Sequence, residues 1–447
     1  MKNITVIGTG YVGLVSGAGM SDFGNNVCCV DIDKEKIKLL NKGVIPIYEP
    51  HLNELINRNV KSKRLIFSDS IEDAIRSAEV IFIAVGTPED NNGNADVMVV
   101  LQVAELIGKI LNNYKVICTK STVPVGTGKK VISIFNKNNQ NNIEYDYCSN
   151  PEFLREGKAV SDFLRPDRVV LGVTSKKAYD YLKDVYRSLY INKTPLIHTT
   201  IETAEMIKYA ANAFLALKIS YINEVANLCD EIGADINIVS EALGSDGRIS
   251  PKFLHPGPGF GGSCFPKDTK ALMSTAKKHN INMYTVNAAI KTNNLQRIRM
   301  LNKLEKLLEG NLNKKMIGVL GLAFKQDTDD VRESPAIDMI LGLMKQGASI
   351  KAYDPAANDS MKKLIPKIEY KLNWQDVVKD CDAVVIMTEW NEFRGMDLSK
   401  LKKLMSTPII LDTRNILNIS ELKKLEFKFD NVGRKSLLSI QILMVYY

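Results

Sequence analysis

An apolar run at 4–7 leads directly into Gly8-Thr9-Gly10-Tyr11-Val12-Gly13, an apolar stretch continues to Phe23, and a second apolar run at 27–30 ends at Asp31. Strand, glycine turn, helix and strand in so short a span make one βαβ unit. The glycines allow a tight turn, close approach of a pyrophosphate and close packing of helix on strand. An acid ending the second strand can accept both hydroxyls of a ribose and repels a 2′-phosphate. The unit predicts an NAD site built on Gly8, Gly10, Tyr11, Val12, Gly13 and Asp31, with Lys36 the one neighbour that argues for NADP.

Further short apolar strands at 80–85, 116–119 and 169–173 alternate with helical stretches, the signature of a parallel sheet covered on both faces. A first domain, the NAD-binding one, is expected over 1–198. Loops at the carboxyl ends of its strands would line the cofactor crevice and bring in Val85, Thr87, Pro88, Ser121 and Thr122. From Glu202 to Ile232 no Pro or Gly interrupts the chain, and Gly233 supplies a stop. That segment predicts one helix of about 46 Å, longer than a domain is wide. Glu205, Lys208, Asn212, Asn223 and Asn227 can share one of its faces, so the helix is expected to bridge two domains and to face a cleft, within a central helical region 199–309. A second α/β pattern follows over 310–447: a strand at 316–320, a turn from Gly321 to Lys325, a helix at 334–346 and a strand at 350–353 ending at Asp354. Strands at 383–387 and 408–411 complete it, with Arg414 just beyond. The fold class expected is α/β, two Rossmann-like doubly wound domains joined by a long central helix.

The chemistry points to Gly259-Phe-Gly-Gly-Ser-Cys-Phe-Pro-Lys-Asp268. Pro266 suits the first turn of a helix, which places Cys264 at a helix N-terminus, where partial positive charge and nearby Lys267 favour thiolate. Lys208 and Asn212, four apart, project from one helix face. Asp268 could activate water or orient Lys208, and Glu152 and Glu156, just beyond a strand, could serve acid/base chemistry. Each also has a plainer reading, as a solvated edge lysine or as first-turn carboxylates complementing a helix dipole.

Composition narrows the rest. The formal charge of +8 is scattered along 447 residues, without basic blocks or aromatic interleaving, so no nucleic-acid partner is expected. Seven cysteines, odd in number and without a C-x-x-C pair, argue against a disulfide framework, and no metal is expected. Residues 4–7 already read as a strand, so no signal peptide is expected and a cytoplasmic location is the default. The apolar tail 437–447 is too short to cross a bilayer and is expected to pack or fray.

Together the motifs GTGYVG, STVPVGT, NPEFLREG followed by DFLRPDRVVLG, EMIKYAANAFLALKISYINE, RISPKFLHPGPGFGGSCFPKDTKAL and GLAFKQDTDDVRESPA resemble the UDP-glucose/GDP-mannose dehydrogenase family, in order, to about residue 435. The resemblance implies NAD on the first domain, the UDP moiety of UDP-glucose on the second, and a four-electron oxidation using two NAD with Cys264 holding the intermediate. It implies oxyanion stabilisation by Lys208 and Asn212, placement of water and Lys208 by Asp268 and Thr122, and proton transfer assisted by Glu152. Glu156, Lys267 and Arg332 fall at cofactor positions. Glu152, Phe153, Leu154, Arg155, Lys208, Asn212, Arg248, Phe253, Phe260, Gly261, Phe324, Lys325 and Arg414 fall at substrate positions. Arg248 corresponds to an arginine reaching the site of a neighbouring subunit, which implies a homodimer or higher homo-oligomer. Ser250 departs from the family's usual glycine. Sister reactions on UDP-N-acetylhexosamine or GDP-mannose are the nearest alternative, and NPEFLREG with PDRVVLG favours glucose. A two-electron hydroxyacid-type dehydrogenase or a non-catalytic nucleotide-sugar binder stands further off.

Overall fold

The computed structural model describes residues 1–90 and 93–434; the tail 437–447 lies outside the described residues. Two compact units emerge, Met1–Ala211 with Lys270–Ile281, and Asn212–Thr269 with Asn282–Tyr447.

The first unit carries β1 (Asn3–Ile7), β2 (Asn26–Val30), β3 (Leu65–Ser68), β4 (Val80–Ile83), β5 (Lys115–Thr119), β6 (Tyr145–Ser149), β7 (Val169–Val173) and β8 (Leu196–Thr199). They form one sheet of order β3-β2-β1-β4-β5-β6-β7-β8, whose first six strands have the dinucleotide-binding order. Strand periodicity places Ile4, Val6, Val80 and Phe82 in one core and Ile7, Ile81 and Ile83 in the other, on opposite faces of the sheet. Burying each such side chain contributes about 1.5–3 kcal/mol. Strand order reverses between β2 and β4 on either side of β1, and there the chain leaves β1 through Gly8, whose N–H donates to Val30 O at 2.8 Å.

One expectation fails in part. β7 runs antiparallel to β6, in register Cys148↔Val173 and Ser149↔Gly172, within an otherwise parallel sheet. An apolar run such as Val-Val-Leu-Gly-Val marks a buried strand but carries no information about direction.

The second unit repeats the order with β9 (Met316–Leu320), β10 (Ser349–Tyr353), β11 (Glu369–Tyr370), β12 (Ala383–Ile386), β13 (Ile409–Asp412) and β14 (Lys428–Asn431), arranged β11-β10-β9-β12-β13-β14. Gly321 repeats the role of Gly8, its N–H donating to Tyr353 O at 2.8 Å. Asp354 does not repeat that of Asp31. It is buried, one oxygen accepting from Leu322 N–H at 2.7 Å, Ala323 N–H at 3.0 Å and Trp390 Nε1–H at 3.1 Å, the other from Ala356 and Ala357 N–H at 2.9 Å. Its carboxylate seals the turn from within.

The chain passes from one unit to the other along a single helix, Ile201–Ile232, of 32 residues. It starts against β7 where Gly172 leaves room: a Cβ there would lie 2.6 Å from Thr200 O. It stops at Gly233, whose φ of 77° is the left-handed conformation that ends helices. Among the described residues no helix is long and apolar enough to cross a membrane.

Candidate active site

The glycine turn has the room its sequence implies. A Cβ on Gly13 would sit 1.8 Å from Gly8 O and one on Gly8 2.7 Å from Ala84 O, whereas one on Gly10 meets nothing within 4 Å. The backbone is thus pressed against the sheet on one side and open at the N-terminus of the helix Tyr11–Asp22, where a pyrophosphate fits. Asp31 closes β2. Burial alone would raise its carboxyl, but the Thr9 hydroxyl and N–H at 2.7 and 2.8 Å, the Asp33 N–H and Lys36 hold it below the usual range. Lys36 lies 3.5 Å from Asp31 and reinforces it. The residues present fit NAD.

The neighbouring loops are tied to one another. Thr87 Oγ1 donates to Thr122 O at 2.8 Å and Ser121 Oγ to Val85 O at 2.7 Å; Pro88 is exposed and Val12 half-buried. The Tyr11 hydroxyl donates to buried Glu49, and the charge of Glu156 bears on the same hydroxyl.

The polar face of the long helix does most of the positioning. Glu205 accepts from Gly126 and Gly128 N–H, both at 2.7 Å, at the start of the helix Thr127–Asn138. Burial pushes its carboxyl up to about 7 against the pull of those two donors. One turn on, Lys208 Nζ meets Glu152 Oε1 at 2.9 Å, the two side chains only 4% and 6% exposed. Glu152 also accepts from Leu154 N–H at 2.5 Å, and the Phe153 ring centroid lies 5.4 Å from the Lys208 ammonium. A further turn on, Asn212 Nδ2 donates to Asp268 Oδ2 at 2.6 Å. Asn223 accepts from Gly257 N–H at 2.8 Å, while Gln296, itself held by Asn227, donates to Gly257 O at 2.9 Å.

Cys264 immediately precedes the helix Phe265–Lys278, as Pro266 predicts, and Asp268 N–H donates to its carbonyl at 2.8 Å. Its thiol is half-buried, 3.6 Å from Ser263 Oγ. Cys28 is the other half-buried thiol, pushed up to about 11 by burial, and the remaining five cysteines are buried. Lys267 directs its ammonium to Asp268, 2.6 Å away.

The glycines ahead of Cys264 are needed for close approach. A Cβ on Gly261 would lie 2.2 Å from Glu333 O and one on Gly262 2.8 Å from the Phe324 ring; Gly262 N–H donates to Arg332 O at 2.8 Å. The cysteine loop therefore packs on the 324–333 turn. Arg414 braces that turn, donating to Phe324 O and Met387 O at 2.8 Å and pairing with Glu389. Lys325 lies over the Phe324 ring.

Other predicted substrate and cofactor residues take different surroundings. Phe260 is buried, its N–H and C=O both held by Asn293. The Phe253 ring lies tilted against that of Phe265, centroids 6.0 Å apart. Arg155 is paired with Asp162 at 2.6 Å and Arg332 with Asp330 at 2.7 Å. Arg248 pairs with Asp246, its side chain 90% exposed. Ser250 has φ 69°, the left-handed region glycine occupies freely, which accounts for glycine being the usual residue there.

Sequence reasoning missed Glu49 and Lys120. Lys120 is a buried lysine whose ammonium rests 3.2 Å from Asn150 Oδ1 and 3.4 Å from the Tyr186 hydroxyl. Its one signal is adjacency to Ser121; Glu49 has no local signal, because its partners lie 38, 108 and 110 residues away.

Two doubly wound domains, one with an open glycine turn closed by an acid, and a half-exposed thiol at a helix start define an NAD-binding oxidoreductase of two α/β domains. Residues 2–190 match the NAD binding domain, 202–295 the central domain and 318–419 the UDP binding domain of the UDP-glucose/GDP-mannose dehydrogenase family. A UDP-glucose 6-dehydrogenase of Bacillus subtilis is 47% identical over 97% of this chain and 94% of its own length. Among solved structures, a UDP-glucose dehydrogenase of Pyrobaculum islandicum superposes with a TM-score of 0.90 at 35% identity, covering 97% of this chain and 98% of that one. A UDP-D-ManNAc dehydrogenase of Pyrococcus horikoshii follows at 0.85 and 28%, covering 96% and 99%. The chain belongs to the UDP-glucose/GDP-mannose dehydrogenase family.

Two outcomes follow from this geometry. Asp31→Ala should weaken NAD binding about tenfold or more, a loss of about 1.4 kcal/mol, and leave UDP binding within about twofold; equal losses for both in titration calorimetry would contradict the assignment. Glu205, whose carboxyl is raised in the fold, adds stability below its unfolded value that is lost as pH rises through about 7. The melting temperature of the native chain relative to Glu205→Gln should therefore fall between roughly pH 5 and pH 8; a constant gap would contradict it.

Proposed function

We propose that the chain oxidises UDP-glucose to UDP-glucuronate with two NAD per turnover. The observation that carries this is Cys264, a half-buried thiol at the start of a helix, on a loop whose glycines press it against the 324–333 turn. The 47% identity to a UDP-glucose 6-dehydrogenase against 28% to a UDP-D-ManNAc dehydrogenase favours glucose over an N-acetylhexosamine.

Converting the primary alcohol to a carboxylate removes four electrons, and NAD supplies the acceptor for each hydride. In the first half the alcohol loses its proton, with Glu152 assisting the transfer, and a hydride from the same carbon, which leaves the aldehyde. The Cys264 thiolate then adds to the aldehyde carbon, forming a C–S bond and a thiohemiacetal oxyanion, which Lys208 and Asn212 stabilise as cation and amide donor. Loss of the second hydride leaves a thioester. Water, positioned by Asp268 and Thr122 and relieved of its proton with the help of Glu152, adds to the thioester carbon and expels the thiolate. The covalent tether keeps the aldehyde from escaping while the cofactor is exchanged.

NAD is proposed on Gly8, Gly10, Tyr11, Val12, Gly13, Asp31, Lys36, Val85, Thr87, Pro88, Ser121, Thr122, Glu156, Lys267 and Arg332. The sugar nucleotide is proposed on the 152–155 backbone and side chains, Lys208, Asn212, Phe253, Phe260, Gly261, Phe324, Lys325 and Arg414. Residues 1–198 form the cofactor domain, 199–309 the central, dimerising region and 310–447 the UDP-sugar domain in this scheme. Phe214, Tyr221 and Leu228 are exposed at seven-residue spacing on the far side of the long helix from its polar face. That stripe, with exposed Arg248, supports a homodimer or higher homo-oligomer, which sedimentation would show as at least twice the chain mass; a cytoplasmic location is part of the same proposal.

NADH released against UDP-glucose consumed should reach two to one. Cys264→Ser should bind both ligands yet fail to complete the oxidation, at a loss of at least about a thousandfold in acid formation. One NADH per sugar, or undiminished acid from the serine variant, would overturn the scheme.

A further inference from the structure

Glu49 carries a buried carboxylate that takes no part in the scheme above. It lies between the helices Lys34–Asn41 and Leu52–Lys61 and is 8% exposed. Its Oε2 accepts from the Tyr11 hydroxyl and from Gly157 N–H at 2.7 Å, and its Oε1 from Ala159 N–H at 2.8 Å. The Gly157 N–H also reaches the Tyr11 oxygen at 3.1 Å. Burial and the adjacent Glu49 raise the Tyr11 phenol, so it stays neutral and keeps donating.

Those partners belong to two functional segments. Tyr11 opens the helix of the cofactor turn, and Gly157 closes the 150–157 segment that carries Glu152 and Glu156. Charge-assisted hydrogen bonds of this kind are about twice as strong as neutral ones, and a buried carboxylate held by three donors cannot shift without leaving one of them unmade. A side chain from a third segment therefore fixes the cofactor turn and the Glu152 loop relative to one another.

The geometry points to Glu49 as a positioning residue for the oxidation: it latches the Tyr11 end of the cofactor turn to the 150–157 loop, so that the Glu152–Lys208 pair keeps its place while NADH leaves and the second NAD enters. The inference rests on the reading of that pair as part of the oxidation of UDP-glucose.

Steady-state kinetics of the full chain test it with Glu49→Gln, Tyr11→Phe and the double variant. Glu49→Gln should lower kcat and raise the KM for NAD, each about tenfold, with the KM for UDP-glucose within about twofold. Tyr11→Phe, which removes one donor, should move the same two quantities less, and the double variant should be no worse than Glu49→Gln alone. A lowered melting temperature with native kinetics would show a merely structural carboxylate and overturn the inference, as would additive losses. Should Glu49→Gln fail to fold, an unchanged KM for NAD in Tyr11→Phe overturns it equally. Failure of the underlying reading is distinct, since the native chain would then not oxidise UDP-glucose at all.

Discussion

Polar side chains buried along a long helix are costly to leave unpartnered, and the partners they find organise this protein. Glu205, Lys208, Asn212 and Asn223 are all buried along one face of the helix Ile201–Ile232. A buried polar group without a partner costs about 1–3 kcal/mol, more if charged. Their partners are the segments to which the chemistry is assigned in the proposed scheme: Glu205 holds the loop after β5, Lys208 holds Glu152, Asn212 holds Asp268 and Asn223 holds Gly257 ahead of the cysteine loop. The desolvation cost of leaving any of these unpaired is what keeps the loops in place.

The same logic separates the two α/β halves, which share strand order and a glycine turn after the first strand. Asp31 is partly exposed at the mouth of an open turn, while Asp354 is consumed by its own backbone and by Trp390. One half keeps a partly exposed carboxylate at its turn, and the other buries it in hydrogen bonds. The 324–333 turn of the second half is instead the floor on which the cysteine loop rests, with glycines where any side chain would collide.

Much of this was legible before the structure. The helix expected over 202–232 is Ile201–Ile232, and the one expected over 334–346 is Pro335–Lys345 with Ser334 and Gln346 as its caps. Periodicity, Pro at a first turn and Gly at a stop are local signals, and local signals read well. The reversal of β7 was not legible, because strand direction is set by the connection and not by the apolar run. Nor were the pairings of Lys208 with Glu152 and of Tyr11 with Glu49, 56 and 38 residues apart, which depend on which segments the fold brings together. The left-handed Ser250 shows the converse, a local departure whose physical meaning appears only with its backbone angle.

In the proposed oxidation one sulfur atom, that of Cys264, carries the sugar between the two hydride losses. Rapid acid quench during turnover of UDP-glucose with NAD, followed by peptide mass spectrometry, addresses it directly, most clearly in Glu152→Gln, where hydrolysis should slow. The peptide containing Cys264 should gain the mass of a UDP-glucuronyl acyl group. Turnover with that peptide unmodified, or with the adduct on another cysteine, would contradict the account.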